Sequence, residues 1–73
     1  SNRRLYKLVN KEFDNILNEV NKLITKVKDD VVKIKLQEVI KNITPLAKTE
    51  KVNDTHLVNL MQYYDLVNEL KNL

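Results

Sequence analysis

Apolar side chains recur along the first third of the chain with a regular beat. Tyr6, Val9, Phe13, Ile16, Val20, Leu23 and Val27 are separated alternately by three and four residues. An α-helix turns once every 3.6 residues, so this spacing stacks all seven side chains on one face. Leu17 and Ile24 add a neighbouring row that widens the stripe toward what a globular bundle helix buries. Glu12, Asp14, Glu19, Lys22 and Lys26 fall off it. The pattern predicts a helix over about residues 3–28.

A second set follows out of phase with the first: Val32, Leu36, Val39, Ile43 and Leu46, with Val31 and Ile40 beside it. At about 100° per residue, the apolar direction rotates by roughly 140° around Asp29-Asp30. Burying both stripes in one core requires a break there, with Asp29 or Asp30 as the N-cap of a helix over about 30–44. The alternative is one continuous helix that serves two different partners. Pro45, the only proline, has no amide hydrogen and disfavours helical geometry at Thr44, so the second helix is expected to end or kink there. Thr44 is alternatively the cap of one short turn starting at Pro45. Leu46 continues the stripe, which favours a kinked last turn over a free linker.

Asn53 reads as the N-cap of a third helix over about 54–72. Asp54 lies in its first turn, where the macrodipole favours an anion, and Val52 and Leu57 have the spacing of a hydrophobic staple. Leu57, Leu60, Met61, Tyr63, Tyr64, Leu66, Val67, Leu70 and Leu73 cover well over half of this helix's circumference. Either the helix lies deep between the other two, or part of its surface is reserved for a partner. Leu8, about 120° from the centre of its own helix's stripe, raises the same question. The expected architecture is all-α: an antiparallel three-helix bundle with a long first helix, in a single domain over 1–73.

Composition narrows the chemistry. The chain has 73 residues, no glycine, no cysteine and one histidine. Without cysteine there are no disulfides and no thiolate ligands, and a lone His56 cannot build a zinc site. Without glycine there is no phosphate-cradling loop and no nucleophile elbow. Asp29 and Asp30 diverge in direction as neighbours and are explained by capping. The reading is therefore non-enzymatic, with no catalytic residues, no metal and no cofactor. No run of residues reaches the length of a membrane span. An intracellular setting, cytoplasmic or nuclear, is the matching expectation. The opening Ser-Asn-Arg-Arg lacks an initiator methionine, which suggests a piece of a larger protein.

The net charge is +3, but unevenly distributed. Residues 1–52 carry 12 basic and 7 acidic side chains; residues 53–73 carry one lysine against three carboxylates. One basic ridge runs Arg3, Lys7 and Lys11 with Arg4 beside it; a second cluster is Lys22, Lys26, Lys28, Lys33 and Lys35. Lysines so placed can neutralise phosphates, yet no aromatics are interleaved for stacking on single strands. Tyr63 and Met61 carry a different signal, since tyrosine and methionine are enriched at protein interfaces. Either Tyr64 and Leu60 are core with Tyr63 at the bundle's edge, or Val58, Met61, Tyr63 and Leu66 line a docking groove for a partner helix or short peptide.

The segment VIKNITPLAKTEKVNDTHLVNLMQYYDLVNEL, Val39 to Leu70, resembles the middle of the helical module that forms the N-terminal domain of the elongation factor TFIIS. The integrase-binding domain of lens epithelium-derived growth factor shares that module. Leu36, Ile40, Ile43, Leu46 and Thr49 stand for its helix of repeating leucines and threonine-containing turn, and Leu57 through Leu70 for the helix that packs back. The longer first helix and the lack of further C-terminal helices depart from the family. The resemblance implies a right-handed bundle that binds short, disordered, acidic and hydrophobic motifs of transcription and chromatin proteins. In the integrase-binding type, a hydrophobic residue followed by Asp after the first helix contacts partners; Val27 and Asp29, separated by Lys28, are the corresponding pair.

These observations point to a non-catalytic protein–protein interaction module that docks a short motif or helix of another protein. Two alternatives stay open. The heptads of the first helix could pair with a copy of themselves as a coiled-coil oligomerisation element, or the basic clusters could form a nucleic-acid-binding module.

Overall fold

The computed structural model describes residues 2–48 and 53–72. They form three helices, α1 (Asn2–Lys26), α2 (Asp30–Leu46) and α3 (Asp54–Lys71), with no strand among the described residues. One unbroken helix over residues 2–46 would be about 67 Å long at 1.5 Å per residue. The molecule measures 43 × 16 × 15 Å, so the chain reverses between α1 and α2. Phe13 meets His56, and farther along Glu19 meets Lys71. α3 therefore runs in the same direction as α1, and the bundle is up-down-up.

The reversal takes three residues, Val27 to Asp29. The Val27 amide still donates to the Leu23 carbonyl at 3.0 Å, and Asp29 is already extended at φ −75°, ψ 122°. Asp29 Oδ1 accepts the amides of Val31 at 2.8 Å and Val32 at 3.2 Å, satisfying two of the donors that a helix start leaves open. α1 thus ends at Lys26 rather than residue 28, because Val27 and Lys28 are needed to turn the chain. No described residue has a positive φ, so the turn needs no glycine.

At its other end α2 runs through Pro45 to Leu46, two residues past the expected boundary. Proline there removes the donor for the Lys41 carbonyl, but Lys41 is exposed and water can replace it. The Ala47 amide bonds the Ile43 carbonyl at 3.0 Å and Lys48 bonds Pro45 at 3.3 Å, closing the last turn. Thr44 caps nothing: it is helical, and its hydroxyl donates back to the Ile40 carbonyl at 2.6 Å. Asn53 caps α3 as expected, its Oδ1 accepting the His56 amide at 2.9 Å. Val52, the other half of the expected staple, and Thr49 lie outside the described residues.

The core is assembled from the two stripes read in the sequence. Val9, Phe13, Ile16 and Val20 of α1 meet Leu36, Val39 and Ile43 of α2, with Ala47, Val67 and Leu70 completing the buried set. Leu17, Leu23, Ile24, Val27, Val32, Ile40 and Leu46 pack around it, half-buried. The heptad positions of α1 from Val9 to Val27 therefore pack within one chain. α2 packs along α1 more extensively than α3 does, and α2 and α3 touch little, which makes α1 the spine of the fold. No helix among the described residues is long and apolar enough to cross a membrane.

Candidate functional site

Helix ends concentrate unpaired backbone groups, and three of them meet at the turn end of the bundle. The last turn of α1, the Val27–Asp29 reversal, the first turn of α2 and the last turn of α3 enclose a cleft of about 620 Å³. Leu23, Val27, Val32 and Leu70 line it with hydrocarbon; Lys26, Lys28, Lys71 and Asp29 stand around it. These apolar residues lie toward the adjoining ends of the three stripes.

Lys26 and Lys71 occupy the last turns of α1 and α3, where the carbonyl end of the macrodipole favours cations. Lys71 Nζ also lies 2.8 Å from Glu19 Oε2, an exposed pair whose contribution to stability is correspondingly small. A smaller hollow of about 200 Å³ shares Leu23, Lys26 and Lys71 and extends to Glu19 and Lys22. Across both, four lysines face two carboxylates, Glu19 and Asp29. One Asp29 oxygen is already engaged by the two α2 amides. The region is an apolar floor under a net positive rim.

The structure brings together residues that the sequence suggested for separate reasons. Val27 and Asp29 from the resemblance, and Lys26 and Lys28 from the charge pattern, line one cleft. Lys22 joins through the adjoining hollow. Lys33 and Lys35 lie outside it. Two residues apart on a helix, they point about 200° apart, with Lys33 half-buried and Lys35 exposed. Leu23, Val32, Leu70 and Lys71 stand out in the sequence only as members of the apolar stripes or of the charge balance. No local signal in the sequence marks them, because only the fold brings the three stripe ends together.

The set Val58, Met61, Tyr63 and Leu66 is divided. Tyr63 and Leu66 are half-buried and pack on the core, while Val58 and Met61 face solvent. Leu8 is also exposed. Tyr64, on the α1 side of α3, donates its hydroxyl to a Glu12 carboxylate oxygen. Burial first, then the hydrogen bond and charge of Glu12, with Glu19 adding to them, push its phenol up to about 12.

His56 occupies a core position. It is buried, and its ring meets the Phe13 ring edge-on at 5.0 Å between centroids. Its Nε2 is buried with no hydrogen-bond partner among the described residues. No group of three His, Cys, Asp or Glu side chains placed to hold a metal ion occurs among the described residues. No family model, curated protein or solved structure matches the chain.

Proposed function

We propose that this domain is a non-catalytic protein–protein interaction module that takes a short acidic and apolar segment of a partner at the turn end of the bundle. The observation carrying this reading is the cleft itself, a hydrocarbon floor of Leu23, Val27, Val32 and Leu70 under a rim of Lys26, Lys28 and Lys71. A leucine- or phenylalanine-sized side chain would fill the floor, and flanking carboxylates would meet the lysines. Such rim charges act mainly on the rate of encounter and on partner choice. The resemblance to the TFIIS N-terminal-type module supports the same reading, because it gives Val27 and Asp29 a partner-contacting role. A nucleic-acid partner is less favoured. The lysines rim an apolar hollow, and Lys33 and Lys35 diverge from it instead of extending a phosphate-tracking groove.

Selection from a random peptide library displayed on phage tests the proposal. Enriched peptides should combine Asp or Glu with Leu, Ile or Phe. The best of them should shift the ¹⁵N–¹H signals of Leu23, Val27, Val32 and Leu70. Lys26→Glu with Lys28→Glu should weaken its binding about tenfold while the fold persists. Enrichment without excess acid, or shifts confined to another face, would remove the reading.

A further inference from the structure

The small hollow beside the cleft carries more positive charge than a partner carboxylate needs. Glu19, Lys22 and Lys26 follow one another at three and four residues, so they share one ridge of α1. Lys71 reaches that ridge from α3, its Nζ 2.8 Å from Glu19 Oε2. Among the described residues Glu19–Lys71 is the one ion pair, and it leaves Lys22 and Lys26 side by side, one turn apart. Like charges at that spacing repel, and an anion between them relieves the repulsion. The hollow measures about 200 Å³. Since a water takes up about 30 Å³, a hydrated tetrahedral anion has room there. Leu23, Lys26 and Lys71 line both spaces, so the hollow adjoins the apolar floor.

We infer that this hollow takes the phosphate monoester of a phosphorylated partner segment, beside the apolar side chain seated on the floor; this rests on the cleft being a peptide site. Charge singles out the ligand. Three lysines line the hollow against one carboxylate, a surplus of two positive charges. A partner carboxylate brings one negative charge, whereas a phosphate monoester brings about 1.5 to 2 at pH 7 and three acceptor oxygens for the ammonium groups. Lysine suits the task as a compact charge with rotatable donors that meets phosphate without a fixed geometry. Glu19 holds Lys71 across the two helices and at the same time opposes an incoming anion, so its carboxylate lowers the affinity of the site. Asp29 adds no such repulsion inside the hollow. It lines the larger cleft alone, with its Oδ1 engaged by the Val31 and Val32 amides.

Three short capped peptides test this, alike except for the residue beside a central leucine: phosphoserine, glutamate or serine. Titrated into ¹⁵N-labelled protein, the phosphoserine peptide should shift the signals of Lys22, Lys26 and Lys71 together with Leu23 and Val27. It should bind about tenfold more tightly than the glutamate peptide. Lys22→Gln should cancel most of that advantage yet leave the glutamate peptide's affinity unchanged, because Lys22 lines the hollow and not the larger cleft. Glu19→Gln should raise the phosphoserine peptide's affinity severalfold. Neither side chain belongs to the core, so the helical circular-dichroism spectrum should not change in either variant. Equal affinity for the phosphoserine and glutamate peptides, or a phosphoserine peptide indifferent to Lys22→Gln, would overturn the inference and leave the peptide site standing. If no peptide shifts Leu23, Val27, Val32 or Leu70, the peptide site falls and the inference with it. Inorganic phosphate binding as tightly as the phosphoserine peptide would make the hollow a free-anion site. Tighter binding to phosphatidic acid vesicles than to the peptide would make the ligand a membrane surface. Either result also overturns the inference.

Discussion

α1 and α3 run in the same direction along the bundle and are both rich in apolar residues, yet they distribute them differently. In α1 the stripe is narrow, and burial follows it: Val9, Phe13, Ile16 and Val20 are all in the core. In α3 apolar residues cover most of the circumference, and burial follows position against α1 instead. His56 is buried while Leu57, Val58 and Met61 face water. Periodicity reports burial only where polar residues mark the solvent side. Where they do not, neighbouring helices decide, and the apolar surplus stays exposed.

The comparison breaks most readily at Phe13, which is fully buried and holds α3 through His56. Phe13→Ala should cost about 3–5 kcal/mol, enough to unfold much of a domain this small. Met61→Ala, equally apolar in sequence terms, should change stability by less than about 0.5 kcal/mol in dilute solution. Urea melts of both variants provide the check. Comparable losses would mean that Met61 is packed and not exposed.

The two caps come next, because each sets the register of a whole helix. Asp29→Ala and Asn53→Ala should each cost about 1 kcal/mol in thermal or urea unfolding. Asp29 is the more telling of the two, since its carboxylate both closes the reversal and borders the cleft. An Asp29→Asn variant should recover most of the stability, because the amide oxygen can still accept from Val31 and Val32. No recovery would show that the charge, rather than the cap, matters there.

Those caps and the stripes were legible because their signals are local. The phase jump at Asp29-Asp30 reports the reversal, and Asn53 followed by Asp54 reports a helix start. Boundaries were less legible. Val27 belongs to the heptad series but serves the turn, and Pro45 ends α2 only after one further turn because the exposed Lys41 carbonyl tolerates losing its donor. The cleft could not be read as such. Leu23, Val32 and Leu70 come from three separate segments, and only the fold shows that their stripes end together. The buried His56 was equally hidden, since one polar residue at the start of a helix reads as exposed until a partner ring covers it.

Tyr64 sharpens the α1–α3 contrast through pH. Its phenol is pushed up to about 12 in the folded chain, against about 10 when unfolded. The unfolded chain therefore gives up this proton first. Tyr64's contribution is fully present below pH 10 and is lost as pH rises through 10 to 12. Tyr64→Phe should cost about 1 kcal/mol at neutral pH. The gap between wild type and variant in urea melts should close across that alkaline window. A gap that persists unchanged at pH 12 would mean that packing, and not the Glu12 hydrogen bond, explains the cost.

A comparably small effect is expected at His56, and it tests whether α3 tolerates polarity in its core or requires it. A buried imidazole nitrogen without a partner costs about 1–3 kcal/mol in desolvation. Its edge-on contact with Phe13 returns about 0.5–1.5 kcal/mol beyond simple burial. His56→Leu removes both, keeps a similar volume and leaves the backbone bond to Asn53 in place, since the amide makes it. Stability should stay within about 0.5 kcal/mol of wild type, or rise. That result would make the histidine a tolerated occupant of a position whose burial is imposed by α1. A loss well above 1 kcal/mol would mean that the imidazole makes a bond that a hydrocarbon cannot replace. Burial along α3 would then be specified by its own residues, and the contrast with α1 would narrow to the width of the stripe.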